Sequence, residues 1–426
     1  MKIPPVKGTR DFYPPEMAVH NFLVGGWKAS SLRSGFEEYD GPIFEYLKMY
    51  QVKSGDEIVE QLFNLTDRGG RDLAIRPEIT PTLARMVNQQ INALARPIKW
   101  FSVPRLCRAE RPQKGRLREF YQWNIDIIGE DSVLADAEVI FTTIDYLRSL
   151  GLKPSDIKAK ISSRKLLHAF LSHIGIADGD MDALYALLDK KAKLPVEKFA
   201  QMLAEQVPDV DTARRIGDFM EVKAVGDIAG MFDSDGEVAA AVGEVEELFG
   251  RLELMGISDY CVFDPHIVRG LAYYTGVVFE VHDIVGDLRA IAGGGRYDNL
   301  LKQFGGPAVT GTGMGMGDCV LEILLKERGL LEQAEAGRKV DYFVAFADKE
   351  FFDKAVEITA RLRATGASAS FSYKKAGLGK QFKQASAQNA KKCVIVGQEF
   401  SESNELAVKD METGEQELVG FEEFFA

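Results

Sequence analysis

A chain of 426 residues, 46% hydrophobic and 27% charged, has the composition of a folded soluble protein of about three domains, which excludes wholesale disorder, collagen and coiled coil. A formal charge of −12 excludes a general nucleic-acid coat and leaves room for local basic patches. The four cysteines Cys107, Cys261, Cys319 and Cys393 have no C-x-x-C spacing, and Met1-Lys-Ile-Pro-Pro has no apolar leader. A reducing compartment is therefore expected, with no zinc ribbon, signal peptide or membrane span.

In chain order, Pro14 to about Gly35 reads as a helix that starts on prolines and stops at glycine. Phe36 to Phe44 reads as a strand. Residues 72–78 alternate as a half-buried strand, with Leu73 and Ile75 on one side and Asp72, Arg76 and Glu78 on the other. Strands at 98–108 and 118–128 flank a basic loop. A helix follows, with Ala137, Ile140, Phe141, Ile144 and Leu147 on one face, ending at Gly151. From Ser163 to Ile257 helical periodicity dominates. Strands return at 261–264 and 276–282, before a glycine-rich stretch at 293–318. The pattern predicts an α+β fold whose antiparallel sheet is interrupted by a helical insert. After a linker at Ala334–Arg338, strands at 340–346, 367–372 and 393–396 alternate with helices at 349–364 and 378–389, a small βαβ-type unit.

Three stretches carry chemistry. From Arg105 to Arg118, six basic residues fall within fourteen positions, with Pro112 and Gly115 marking a turn. On the strand after it Phe120, Gln122, Asn124 and Asp126 share one face, and Tyr121, Trp123, Ile125 and Ile127 the other. This hairpin is either a solvated charged surface or a polyanion site, since arginine forks suit phosphate oxygens. Val268-Arg269-Gly270-Leu-Ala272-Tyr273-Tyr274-Thr-Gly276 reads as a pocket wall or as a strand-end turn. Ala292-Gly-Gly-Gly295-Arg296-Tyr297-Asp298 and Gly311-Thr-Gly313-Met-Gly315-Met-Gly317-Asp318 place glycine where a backbone either approaches a flat ligand or packs tightly.

The chain has no P-loop, H-E-x-x-H or G-x-S-x-G. His20, His168, His173, His266 and His282 lack metal-ligand spacing and are expected to be structural or exposed, so no protein metal site is predicted. Lys374, Lys375, Lys380, Lys383, Lys391 and Lys392 occur within 369–392 without one acidic residue, either a solvated helix face or an RNA-binding patch.

Together these stretches resemble the histidyl-tRNA synthetases, from Lys7-Gly-Thr-Arg-Asp11 to the C-terminus. Arg108-Ala-Glu110-Arg111-Pro-Gln113-Lys-Gly-Arg116 is similar to class II motif 2, and the segment ending at Pro42 to motif 1. Arg269-Gly-Leu-Ala-Tyr273-Tyr274 and Gly294-Gly-Arg-Tyr297-Asp298 resemble the two histidine-specific signatures, and Leu378-Gly-Lys-Gln-Phe-Lys383 lies in a likeness of the anticodon-binding domain. The resemblance implies a class II antiparallel-sheet catalytic domain over 1–162 and 258–330. It also implies a helical insertion domain over 163–257 and an α/β anticodon-binding domain over 336–426.

It further implies a histidine–tRNA ligase. Histidine is activated with ATP to histidyl-adenylate and pyrophosphate, then passed to the 3′ end of histidine tRNA by a cytoplasmic homodimer. Arg108 and Arg269 are implied as catalytic residues on the α-phosphate. Arg108, Glu110 and Arg116 are implied to bind ATP, with Mg²⁺ bridging its phosphates. The histidine set is Glu78, Thr80 and Gln122 on the α-amino group, Asp126 and Tyr274 on the imidazole, Tyr297 helping to close the pocket, and Tyr273. Arg111 and Gln113 are implied to meet the tRNA acceptor end.

Two positions depart from the family pattern. Ala272 stands where many members have aspartate. Val320 aligns with the motif 3 arginine that stacks on adenine and meets the γ-phosphate, so either that contact is lost or another arginine replaces it. The competing reading is a non-catalytic, histidine-binding regulatory subunit of ATP phosphoribosyltransferase. Such proteins generally lack the anticodon-binding domain and carry degraded catalytic signatures.

Overall fold

The computed structural model describes residues 3–54, 62–191, 194–229, 236–269, 274–285, 288–332 and 340–425. The chain divides into two compact units, Met1–Phe12 with His20–Leu331 and Tyr13–Val19 with Glu332–Ala426.

The first helix, Pro14–Arg33, begins on its two prolines and buries Trp27 beside Trp123 and Tyr146. The strand expected over 36–44 is two strands in different sheets. β1 (Glu37–Glu38) joins the main sheet, and β2 (Phe44–Tyr46) joins a small one with β3 (Asn64–Thr66) and β4 (Asp72–Ile75), in the order β2-β4-β3. The break falls at Asp40-Gly41-Pro42. There Arg76 donates Nη1 to Asp40 Oδ1 at 2.6 Å and to the Gly41 carbonyl at 2.8 Å, while Pro42 has no N–H for a ladder.

The faces of β4 are the reverse of the expectation: Ala74 and Arg76 are buried, and Leu73 and Ile75 only half-buried. Arg76 tolerates burial because Asp40 and the carbonyls of Gly41 and Arg105 take up its donors.

Helix Thr80–Gln90 follows, with Pro81 in its first turn. The strand expected at 98–108 is interrupted at Pro104, giving β5 (Ile98–Ser102) and β6 (Arg105–Cys107), both antiparallel to β7 (Glu119–Ile128). Helix Val133–Ser149 buries Ala137, Ile140, Ile144 and Leu147, with Phe141 half-buried, and leads to β8 (Ile157–Ser163).

Between β8 and β9 (Cys261–Phe263), the described residues form helices at 164–173, 178–188, 196–206, 210–220, 225–229 and 236–254. Their core is apolar and aromatic, with Phe170 stacked on Phe219 at 4.2 Å between centroids. Phe263 and Val268 belong to the same core, so the helical layer runs continuously into the sheet.

β10 (Val277–Asp283), β11 (Ala292–Tyr297) and β12 (Gly311–Gly317) complete the main sheet, in the order β1-β5-β7-β12-β11-β10-β8-β9 with β6 on β7. The β1–β5 and β8–β9 pairs are parallel and the others antiparallel.

In the second unit β13 (Tyr342–Phe346), β14 (Ala369–Phe371) and β15 (Lys392–Val396) are parallel, as their alternation with helices Phe352–Ala364 and Leu378–Ala387 predicts. The hairpin of β16 (Glu405–Asp410) and β17 (Gln416–Gly420) extends this sheet beyond what the sequence reading anticipated.

Candidate active site

The site starts from the register of three strands. β12 lies between β7 and β11, with Gly313 opposite both Asp126 and Gly295, Gly315 opposite Asn124 and Gly293, and Gly317 opposite Gln122. Alternation puts these positions on one face. The alternate glycines thus make a bare floor beside a polar ledge from β7. A Cβ on Gly313 would overlap the Asp126 carboxylate, and one on Gly293 would overlap the Arg269 guanidinium. At Gly313 close packing, which includes the Ile125 carbonyl, requires glycine; at Gly293 the missing Cβ leaves room for the arginine.

Over this floor opens a cavity of about 420 Å³. One wall is the β6–β7 hairpin, whose turn is closed by reciprocal backbone hydrogen bonds of 2.9 Å between Gln113 and Arg116. Arg116 Nε lies 2.5 Å from Glu110 Oε2. Arg108 donates Nε to the Pro77 carbonyl at 3.1 Å, and its guanidinium lies 5.0 Å from the Phe120 ring centroid.

The opposite wall carries Arg269. Its backbone sits at φ 55°, a left-handed conformation that costs a non-glycine residue about 1–3 kcal/mol and recurs at functional sites. Arg269 Nη1 lies 3.3 Å from Glu280 Oε1, and the other Glu280 oxygen meets His282 Nε2 at 2.9 Å. Arg289 completes the cationic lining. Burial, with Arg116 the next largest influence, lowers its pKa from the ordinary value, against an opposing pull from Glu110. Four arginines thus face two glutamates, an excess of two positive charges before His282 is considered. Such a cleft suits a polyphosphate.

A second polar cluster is more enclosed. The Tyr297 hydroxyl donates to Asp126 Oδ1 at 2.5 Å, and both residues are buried. Tyr274, also buried, lies 5.4 Å from the Arg269 guanidinium, ring centroid to Cζ. A fixed carboxylate beside tyrosines can accept N–H donors from a small polar ring.

The structure therefore brings Arg108, Glu110, Arg116, Gln122 and Arg269 into one cavity and joins Asp126 to Tyr297. Glu78 and Thr80 do not line that cavity. They are half-buried where the chain enters helix Thr80–Gln90, just after the Pro77 carbonyl that holds Arg108. Arg111 and Gln113 are exposed on the hairpin loop, outside the cavity lining. Tyr273 and Ala272 lie outside the described residues. Val320 stands in the cavity wall against Gly115, and the neighbouring Asp318 is paired with Arg10.

The sequence reading missed Glu280, His282 and Arg289. The i, i+2 spacing of Glu280 and His282 on a strand that is apolar up to Glu280 was the available signal, and His282, paired with Glu280, also lines the cavity. Among the described residues no group of three or more His, Cys, Asp or Glu side chains could hold a metal ion, and no helix is long and apolar enough to cross a membrane.

An antiparallel sheet with a glycine floor under an arginine-lined cleft, in a chain that also carries an α/β unit, is the architecture of a class II aminoacyl-tRNA synthetase. The family model for histidyl-tRNA synthetase matches residues 8–317, and that for the anticodon binding domain matches 340–426. The chain is 38% identical to the chloroplastic/mitochondrial histidine–tRNA ligase of Arabidopsis thaliana over 97% of its own length and 84% of that protein. It is 39% identical to the histidine–tRNA ligase of Opitutus terrae over 95% of its length and 93% of that protein. A crystal structure of histidyl-tRNA synthetase from a Nostoc species shares the fold at TM-score 0.84, with 23% identity and coverage of 99% of this chain and 97% of that one. The chain belongs to the histidyl-tRNA synthetase family.

Proposed function

We propose that this chain activates L-histidine with ATP and transfers it to the 3′ end of histidine tRNA. The observation that carries the reading is the meeting of Arg108 and Arg269 across one cavity above the glycine floor. The histidine carboxylate oxygen attacks the α-phosphorus, a P–O bond forms there, and the bond to the β-phosphate oxygen breaks as pyrophosphate leaves. Arg108 and Arg269 hold the α-phosphate from opposite walls and stabilise the charge that builds on its oxygens. Arg116 and Glu110, already paired with each other, meet the rest of ATP. A ribose hydroxyl of the tRNA then attacks the carbonyl carbon of the adenylate, an ester bond forms, the bond from that carbon to the phosphate oxygen breaks, and AMP leaves as the hydroxyl gives up its proton.

Gln122, Glu78 and Thr80 hold the α-amino group, while Asp126, with Tyr274 and Tyr297, reads the imidazole. Selectivity follows because an amino acid without ring N–H groups leaves a buried acceptor unmatched. Tyr273 is assigned to the same pocket by sequence position alone. Arg111 and Gln113, exposed at the hairpin tip, suit contact with the acceptor end.

Mg²⁺ would travel with ATP. Of the cavity carboxylates Glu280 has both oxygens engaged by Arg269 and His282, which leaves Glu110, and Mg²⁺ characteristically uses one or two carboxylates plus substrate phosphates. Glu110 would help to hold an ion whose chemistry is to neutralise phosphate charge.

The domain reading places catalysis on 1–162 and 258–330, an insertion on 163–257 and anticodon binding on 336–426. For the last, Lys374, Lys375, Lys380 and Lys383 are exposed beside the 83%-exposed Tyr373, a basic and aromatic surface suited to single-stranded RNA. Homodimer formation is supported by the exposed Ile43, Phe44 and Tyr46 at β2. A cytoplasmic location rests on the substrate and on the cysteine usage. The regulatory-subunit reading is disfavoured by the match to an anticodon binding domain and by the retained Arg108, Glu110, Arg116 and Arg269. Histidine-dependent ATP–pyrophosphate exchange tests the first step, with Arg269→Ala expected to lose roughly 100-fold or more in kcat.

A further inference from the structure

Among the described residues Arg289 is the one cavity arginine with no anchor. Arg108 is held by the Pro77 carbonyl, Arg116 by Glu110 and Arg269 by Glu280. Arg289 makes no hydrogen bond or ion pair with the described residues, yet it lines the same cavity as those three. It stands in the segment between β10 and β11, four residues before Gly293. It shares the cavity lining with Arg108, Glu110 and Arg116 of the hairpin wall and with Arg269 and Glu280. Four guanidiniums against two carboxylates leave an excess of positive charge that a bound anion would neutralise. Val320, which shares this cavity, brings no charge.

We propose that Arg289 binds the β- and γ-phosphates of ATP, and hence the pyrophosphate that leaves, supplying the phosphate contact for which Val320 has no donor. This deepens the ligase reading and rests on it. A planar fork suits two phosphate oxygens at once, and a cation with no salt bridge to the described residues can engage them without breaking one there. Arg116 and Arg289 would then grip the polyphosphate tail from opposite sides, with Arg108 and Arg269 on the α-phosphate. The contact ends when pyrophosphate departs, so histidyl-adenylate should not feel Arg289.

The test uses the full-length protein with Arg289→Ala and Arg289→Lys, in histidine-dependent ATP–pyrophosphate exchange and in calorimetric binding of a non-hydrolysable histidyl-adenylate analogue. For Arg289→Ala, the KM for ATP and the KM for pyrophosphate should each rise about 10- to 100-fold, the scale of a charged hydrogen-bonding contact. The KM for histidine and the affinity for the adenylate analogue should stay within about twofold of wild type, which also reports an intact fold. Arg289→Lys should recover part of the loss, since it keeps the charge but not the fork. Unchanged KM values for ATP and pyrophosphate overturn the proposal. So does analogue binding weakened as much as ATP binding, which would move Arg289 to the adenosine end. A wild-type protein without histidine-dependent exchange would overturn the ligase reading itself, an outcome distinct from either result on the variants.

Discussion

Tyr297 on β11 and Asp126 on β7 are bridged across the intervening strand β12 by a 2.5 Å hydrogen bond from the tyrosine hydroxyl to Asp126 Oδ1. The bridge is possible because Gly313, opposite Asp126 in the ladder, has no side chain to fill the space. The tyrosine therefore fixes the orientation of the carboxylate assigned to the imidazole. Tyr297→Phe keeps the ring and removes the donor, which costs about 1–2 kcal/mol, or roughly tenfold. The KM for histidine should rise by that factor in the exchange assay while the KM for ATP stays put. A matching rise in both would mean that the hydroxyl supports the whole site and not the histidine pocket.

Gly293→Ala puts a methyl group where the Arg269 guanidinium now lies. The far end of a long side chain can move more easily than a sheet can, so the fold should survive, with the melting temperature lowered by a few degrees at most. Arg269 should lose its position over the floor, and kcat for adenylate formation should fall by roughly 100-fold. A variant that keeps wild-type kcat would show that the floor does not set the arginine.

Asp264 links stability to pH. Burial alone would raise its pKa, but hydrogen bonds from His266 and Lys160 outweigh that and hold the carboxyl well below the usual carboxylate range. A depressed folded value contributes stability above the unfolded pKa of about 4, and the contribution is lost as pH falls through the folded value. Asp264→Asn should therefore destabilise the protein by about 1–2 kcal/mol in urea melts between pH 6 and 8. The gap should narrow as pH drops below about 4. A gap independent of pH would assign the loss to packing.

The thiols of Cys261, Cys319 and Cys393 are each pushed up to about 12, chiefly by burial. Thiolate is the reactive form, so native protein at pH 8 should resist iodoacetamide at these three positions and take it up fully once denatured. Mass spectrometry of peptides after timed alkylation reads this directly. Rapid labelling of Cys319 in the folded state would mean that the wall of the arginine-lined cavity opens.

The sequence made local features legible and left tertiary ones hidden. The Arg105–Arg118 hairpin was readable because turn residues and period-two alternation are local signals, and β7 presents Gln122 to the cavity as alternation requires. Alternate glycines at 311–317 signalled close approach, but their partners Asp126, Asn124 and Gln122 emerged only with the strand register. Arg76 read as a solvent-side charge because its partner Asp40 is 36 residues away. Glu280 and Arg289 escaped notice, and His282 was not tied to the site, because only the order β12-β11-β10 brings them beside the hairpin wall. The breaks at Pro42, a proline into which the first strand was read as leading, and at Pro104 fall inside stretches read as single strands.

The most direct test of the account is aminoacylation by the purified full-length protein with ATP, Mg²⁺, radiolabelled histidine and transcribed histidine tRNA, run beside Arg269→Ala. The account predicts histidine in acid-precipitable tRNA with the wild type and little or none with the variant, while both bind histidine. Histidine binding without any charging by the wild type would contradict it and would favour a histidine-sensing regulatory protein built on the same fold.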